Sequence, residues 1–496
     1  MKRITLSLIL FFCTVCLAAD ASTLYRVRFA YYPEKIRAVF DFDGGFTYQT
    51  DESKEKIIIF LKKIEAGPEI PNYVELNDLI VKYFKIEKMD EDLKVTIPLG
   101  ESIEYNIFYL NDPPRLVVDF GREYLNIVSG GTLAEGIEHL KVRKGSAAGR
   151  ITASVLKIDL DKAEVEPALA RRLKPGLVES FIDFLTPWRR KKAWEEHFTL
   201  DKVSNIVAEN GALAGVNGTY FAFTGSPLGA LMIDQELISI PIHGRTAFFL
   251  DDKNSPYIDN IYVTSYFKLE SGIRYKITGV NQGRGSNDLI MYTPVWGKYT
   301  GTNQEGIELV VVNSRITEIN LSNSKIPEDG YVLSASGPGV ETLAESVKAG
   351  TRINTRIRII PYSTSPRKII HLVSGGPRLL KNGRIYVSKH AEKFKMDIAR
   401  GRAARTAIGF TKDKKLLLVT VDGPPRKKRA RAKLRSSIGA TLEELSKLML
   451  ALGASEAMNL DGGSSSTMVI EDKVVNRPTS GYERKVNNAI VVRPKN

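Results

Sequence analysis

The sequence predicts an α+β protein, in which a mixed-sheet α/β main domain follows a small all-β domain of sandwich type. Three observations carry this. Residues 22–125 break into strand-length runs rich in Val, Ile and Phe, separated by turn signals. The longer remainder is again rich in strand-like runs, but it holds one well-marked amphipathic helix that feeds a further strand. At 496 residues, 43% hydrophobic and 26% charged, the chain has globular composition and length for two or three domains.

Residues 1–21 read as a secretory signal. Lys2 and Arg3 precede an apolar run from Ile4 to Leu17, and Ala19-Asp20-Ala21 offers a small-x-small cleavage site. That run is too short to span a membrane comfortably, and no later segment reaches about 18 uninterrupted apolar residues. The expected destination is periplasmic or extracellular, at the cell envelope, with no transmembrane segment once the signal is removed. Both cysteines, Cys13 and Cys16, lie inside the signal, which excludes disulfides and thiolate metal sites from the mature chain. The five histidines, at 139, 197, 243, 371 and 390, show no H-E-x-x-H spacing, which argues against zinc hydrolase chemistry.

In the first domain, residues 22–125, the strand-like runs are Tyr25–Phe29, Arg37–Phe42, Lys56–Leu61, Leu93–Ile97 and Leu116–Phe120. Asp43-Gly44-Gly45, Leu99-Gly100 and Asn111-Asp112-Pro113-Pro114 punctuate them. Residues 126–132, with Ser129-Gly130-Gly131, read as a linker into the main domain, 133–496. There Ile151–Ile158 and Ala163–Ala168 read as a strand pair joined through Asp159-Leu160-Asp161, and about 171–200 as a polar surface insert. A helix capped by Asp201 leads to Asn210-Gly211 and a buried strand, Ala212–Val216. The middle is largely β, with Glu308–Val312, Tyr331–Ser334 and Thr355–Ile360. Thr441-Leu442-Glu443-Glu444 is a capping box, Leu442, Leu445, Leu448, Met449 and Leu452 form one apolar face, and Gly453 ends the helix. Net charge is +14, and Arg426–Arg435 carries seven positive and no negative side chains. That block reads as a solvated loop or a collar for an anionic polymer. With an exported chain, a nucleic-acid partner is not expected.

Chemistry concentrates at strand ends. Asn459-Leu460-Asp461-Gly462-Gly463-Ser464-Ser465-Ser466-Thr467 places an acid beside a Gly-Gly turn and a run of hydroxyls. Asn217-Gly218-Thr219-Tyr220-Phe221, Ser374-Gly375-Gly376-Pro377-Arg378, Arg405-Thr406-Ala407-Ile408-Gly409 and Val421-Asp422-Gly423 have related character, and Glu483-Arg484 lies near the C-terminus. Arg405, Arg378 and Arg484 can fork onto phosphate oxygens. Backbone N–H groups at Gly375-Gly376 and around Gly462-Gly463 can form an anion nest. Asp461, Asp422 and Glu483 are the carboxylates for acid–base work or for a divalent cation, with Asp422 and Asp461 the metal ligands if there is a metal. Asn217 and Asn459 suit a sugar.

These runs, together with Asp288-Leu289-Ile290-Met291-Tyr292-Thr293, resemble the phosphodiester glycosidase family over roughly 133–496. The resemblance implies hydrolysis of a bond between a sugar's anomeric carbon and a phosphodiester, of the N-acetylglucosamine-1-phosphodiester type. By residue match it carries over Asn217, Arg405, Asp422, Asp461, Gly462, Gly463 and Thr467. Two departures stand out. The family tends to have His-Pro before the Arg, where this chain has Ala403-Ala404, and a third Gly where it has Ser464. The strand Arg37–Phe42 and Pro113-Pro114-Arg115-Leu116-Val117-Val118-Asp119-Phe120 are similar to the AMIN domain of bacterial envelope proteins, which implies attachment to a cell-wall polymer. The expected partner is then a phosphorylated or anionic glycan of the envelope or an exopolysaccharide. The rival expectation is a non-catalytic protein that grips such a glycan in the same pocket. A serine hydrolase fits poorly, because Ser464–Ser466 lack a G-x-S-x-G elbow.

Overall fold

A computed structural model describes residues 22–76, 78–170, 198–396, 398, 401–424 and 437–495. The signal segment, the basic run Arg426–Arg435 and most of the polar insert lie outside the described residues. Strand dominates, at 52% against 7% helix. Among the described residues no helix is long and apolar enough to cross a membrane.

The chain divides into two compact units, the first built mainly from residues up to Asn126. That unit is two five-stranded sheets. One runs in the order Ile64–Ala66, Ser22–Tyr31, Lys35–Phe42, Arg115–Gly121, Tyr105–Leu110. The other runs Thr47–Glu52, Lys56–Lys62, Asp92–Pro98, Tyr83–Met89, Tyr73–Glu75. Period-2 alternation sends one face of each strand inward. Phe84 from the second sheet meets Phe40 and Phe120 from the first, with ring centroids 6.0 and 6.1 Å apart. Each fully buried Phe stabilises the sandwich by about 1.5–3 kcal/mol. All five strands expected here are present.

In the second unit, one sheet places strands Gly149–Asp159, Lys415–Val421, Arg405–Thr411, Ala454–Asn459 and Arg378–Lys381 side by side. A second orders Ala163–Leu169, Asn488–Pro494, Ala214–Asn217, Met468–Ile470 and Lys473–Val474. The two expected partners, Ile151–Ile158 and Ala163–Ala168, therefore do not form a hairpin. Lys415–Val421 pairs with the first and Asn488–Pro494 with the second. Tertiary partners with longer apolar ladders outcompete the adjacent strand. Ser129-Gly130-Gly131 lies inside strand Tyr124–Ala134 rather than in a free linker.

The helix Leu442–Ala451 forms as its capping box directs. The Thr441 hydroxyl accepts from Glu444 N–H, the Glu444 carboxylate returns to Thr441 N–H, and Leu442, Leu445, Leu448 and Met449 are buried. The helix near 201 starts one residue later than expected, at Val203, with Lys202 at its N-cap and no side-chain bond from that residue. Asp201 instead accepts from Lys202 N–H and from the Asn205 amide.

Candidate active site

Strand direction gathers the motifs. Arg405–Thr411 is antiparallel to both Lys415–Val421 and Ala454–Asn459, with Arg405 opposite Val421 and Ala407 opposite Asn459. Arg378 lies opposite Met458. Asp422, Arg405, Asp461 and Gly375-Gly376 therefore all emerge at one end of one sheet. The second sheet delivers Asn217 to the same place, because Ala214–Asn217 ends where Thr467 begins the turn into Met468–Ile470.

Asn217 is fully buried and ties the segments together. Its amide donates to the Asp461 carbonyl at 2.7 Å, while its oxygen accepts from the Thr406 hydroxyl at 2.8 Å and Thr467 N–H at 3.1 Å. Asn459 donates to the Tyr220 hydroxyl at 2.8 Å and to the Gly376 carbonyl at 3.2 Å. Tyr220 in turn donates to that same carbonyl at 3.0 Å. Gly375 has no room for a Cβ, which would lie 2.5 Å from the Asn459 carbonyl oxygen. Gly376 combines φ +97° with a Cβ position 2.4 Å from a Glu392 carboxylate oxygen. Both glycines are therefore required by close packing.

Asp461 carries the perturbed carboxyl. It accepts from Gly462 N–H at 2.9 Å. Desolvation pushes its pKa up to about 6, against the opposing pull of Ser465, Gly462 N–H and Arg484. Arg484 donates to the Ser465 hydroxyl at 2.9 Å and lies over the Phe221 ring at 4.9 Å. Arg405 is 4% exposed. Its guanidinium donates to the carbonyls of Ala440, Ile398 and Gly401 at 3.1, 3.2 and 2.5 Å. No carboxylate of the described residues forms an ion pair with it, and burial lowers its pKa. A Cβ on Gly462 would sit 3.8 Å from Arg405 Cδ, so this buried cation underlies the Gly-Gly turn. Enclosure raises the Tyr220 pKa, with Asp461 adding to that effect and Arg405 and Arg245 opposing it. The oxygens of Thr219, Asn459, Ser466 and Thr467 include buried atoms without a hydrogen-bond partner among the described residues. Each such atom costs about 1–3 kcal/mol, and their clustering leaves unmet polar capacity buried around the Asn459–Thr467 turn.

Three expected participants are engaged in other contacts. Asp422 accepts from Arg477 N–H at 2.8 Å, and burial raises its pKa with Lys141 and Arg477 opposing. The strand of Arg405 lies between it and Asp461, a backbone separation of about 10 Å, and the two carboxylates share no partner. Glu483 binds Ser204 N–H and hydroxyl at 2.8 and 2.7 Å, capping the helix Val203–Glu209. Arg378 is a buried ion pair with Glu456 at 2.5 Å, with Asp259 3.7 Å away. Among the described residues, the metal-ligand grouping is Glu166, Asp234 and His371, within 4.8 Å of one another. Glu166 is already paired with Arg493 at 2.5 Å.

The departures from the family pattern are accommodated locally. Ala404 is buried and its carbonyl accepts from Gly463 N–H at 2.8 Å. Ser464 sits in the 3-10 turn Gly463–Ser465, its hydroxyl 3.4 Å from an Arg484 nitrogen. The motifs did not single out Tyr220, Thr406, Arg245 or Glu392. Tyr220 and Thr406 fall inside marked motifs. Arg245, stacked on Phe394 at 4.2 Å, and Glu392, which accepts from Thr246 N–H and Arg378 N–H at 2.9 and 3.0 Å, carry no local signal.

Comparison with known proteins finds likenesses of fold and a family match to part of the chain. A crystal structure of a hypothetical protein from Synechocystis superposes with TM-score 0.61 at 21% identity, over 97% of this chain and 82% of that one. A protein from Burkholderia pseudomallei K96243 superposes with TM-score 0.55 at 20% identity, over 91% of this chain and 97% of that one. Such identities establish likeness of fold alone. The SPbeta prophage-derived uncharacterized protein YomE of Bacillus subtilis (strain 168) is 38% identical over 88 residues, which is 18% of this chain. The match spans 12% of that relative's length. Asn217 lies outside the family match, but the stretch that carries Arg405, Asp422, Asp461 and Arg484 matches the phosphodiester glycosidase family over residues 305–493, the family that the motifs resemble.

Proposed function

We propose that this protein is an exported hydrolase that cleaves a sugar-1-phosphodiester, of the N-acetylglucosamine type, on an envelope or exopolysaccharide glycan. The observation that carries the reading is Asp461, its carboxyl pushed up to about 6 beside Arg484 and the buried, carboxylate-free Arg405. At neutral pH Asp461 is ionised yet basic enough to take a proton from water. Water adds to the anomeric carbon, the carbon–oxygen bond to phosphate breaks with its electrons on oxygen, and the water proton passes to Asp461. The products are the free sugar and a phosphomonoester, an anion that leaves with little acid assistance. Arg405 and Arg484 balance the charge that gathers on the phosphate. The β-sandwich unit serves, in this reading, as the attachment module for a wall polymer.

Ala403-Ala404 in place of His-Pro favours a second reading, a non-catalytic grip on the same anionic glycan. Turnover of a short N-acetylglucosamine-1-phosphodiester by the purified chain distinguishes the two. Release of free sugar that disappears in Asp461→Asn supports hydrolysis. Tight binding with no release supports the grip.

A further inference from the structure

The strand Ile353–Pro361 alternates Arg356-Ile357-Arg358-Ile359, and the alternation decides which way each side chain faces. It pairs with the long strand Pro256–Leu269, which places Arg356 beside Tyr266 and Arg358 beside Thr264. On the other side, Arg274–Lys276 pairs so that Lys276 meets Tyr266 and Arg274 meets Lys268. Phe267, Leu269 and Ile353 of these strands are buried in a core below. The opposite face therefore displays five cations, Lys268, Arg274, Lys276, Arg356 and Arg358, and no acidic side chain at any outward ladder position. None of the five forms an ion pair among the described residues. Tyr262, Tyr266 and Tyr362 stand among them. Arg274 lies over the Tyr266 ring at 5.0 Å, and Tyr262 meets Tyr362 edge-on at 5.4 Å.

Guarding a sheet edge against a foreign strand is the usual reason for such charges. It explains Arg356 and Arg358 on an edge strand but not Lys268, which is on the central strand of the three. The face spans roughly 20 Å from Tyr262 to Lys268. It begins close to the candidate active site, because Ile261 N–H donates to the carbonyl of Arg245, the cation stacked on Phe394 beside Tyr220.

We infer that this face is a docking track for an anionic glycan with phosphodiesters in its backbone, holding the polymer whose linkage the site cleaves. The inference rests on the proposed hydrolase reading for its choice of polymer, and on charge complementarity for the surface itself. Cations two residues apart on a strand repeat at roughly 6.8 Å, which suits a chain of regularly spaced phosphates. The tyrosine rings offer flat apolar faces to the sugars between them.

The test compares the full chain with the triple variant Lys268→Ser/Arg356→Ser/Arg358→Ser, using a poly(glycosyl-1-phosphate) as ligand across a salt series from about 50 mM upward. The expected result is at least tenfold weaker polymer binding, a log–log salt slope shallower by roughly 2, and unchanged turnover of the short phosphodiester. A Lys268→Arg/Arg356→Lys/Arg358→Lys variant, which keeps the charge, should bind as the parent does. Equal binding by the parent and the serine variant would overturn the inference. So would tighter binding of single-stranded DNA with the same number of phosphates, which would make the face a nucleic-acid surface. Loss of polymer binding in the serine variant, with no turnover of the short substrate by the parent, would sink the hydrolase reading and leave the track standing.

Discussion

Replacing Asp461 by Asn separates stability from chemistry in opposite directions. The carboxyl moves from 3.8 to about 6 on folding, which corresponds to about 3 kcal/mol in favour of the protonated form. The folded chain thus binds this proton more tightly than the unfolded chain, so ionisation works against the fold. The penalty is absent below about pH 4, grows as pH rises, and is complete above about pH 6. Asn at this position keeps an oxygen for Gly462 N–H and carries no charge. At pH 7 the variant should therefore be more stable by up to about 3 kcal/mol, or roughly 4 °C in Tm for a unit of some 350 residues. The advantage should fade as pH falls to about 4. Calorimetric unfolding of both proteins at several pH values reads this directly. Turnover of the short sugar-1-phosphodiester should be lost in the variant, and in the parent it should decline as pH drops through about 6. A variant that is no more stable at neutral pH, or whose advantage does not depend on pH, would refute the placement of Asp461 in a desolvated pocket. Full turnover by the variant would remove Asp461 as the base.

The neighbours give sharper contrasts. Arg405→Lys keeps a charge but cannot reach three carbonyls and a phosphate together, so kcat/KM on the same substrate should fall by about a hundredfold. Tyr220→Phe strips the Asn459 amide and the Gly376 carbonyl of a partner, with an expected loss of about 1–2 kcal/mol in denaturant titration. Glu483→Gln should cost about 1 kcal/mol through the weakened cap on Val203–Glu209 and leave turnover as it was; a collapse in kcat would return Glu483 to the site. Gly375→Ala drives a Cβ against the Asn459 carbonyl, and unfolding experiments should register about 1–3 kcal/mol of destabilisation.

What could be read from the residues is what local chemistry determines. The Thr441–Glu444 capping box, the alternation in Arg37–Phe42, and the Gly-Gly turn after Asp461 each act within a few positions, and each stands in the structure. The gathering of Asn217, Gly375-Gly376, Arg405 and Asp461 was legible because each marks a strand end. Pairing partners were not. Nothing near Ile151 announces that its strand joins Lys415–Val421 across more than two hundred residues, or that Ala163–Leu169 belongs to another sheet. The same distance hid the fates of Glu483 and Arg378. A carboxylate free to take a helix N-terminus and one free to take a ligand look identical in a sequence. Arg245 has no motif around it, and only the packing of Phe394 brings it to Tyr220.

The strand Asn488–Pro494 is interior to its sheet, flanked by Ala163–Leu169 and Ala214–Asn217. Asn217 is thus anchored by a segment synthesised some 270 residues after it. High contact order of this kind makes folding slow and places the closing event late. A growing chain can finish its β-sandwich early, yet it cannot assemble the pocket until the last strand emerges. Assembly of the pocket then waits on the pairing of Asn488–Pro494, and a chain lacking that strand leaves Asn217 without its ladder partner.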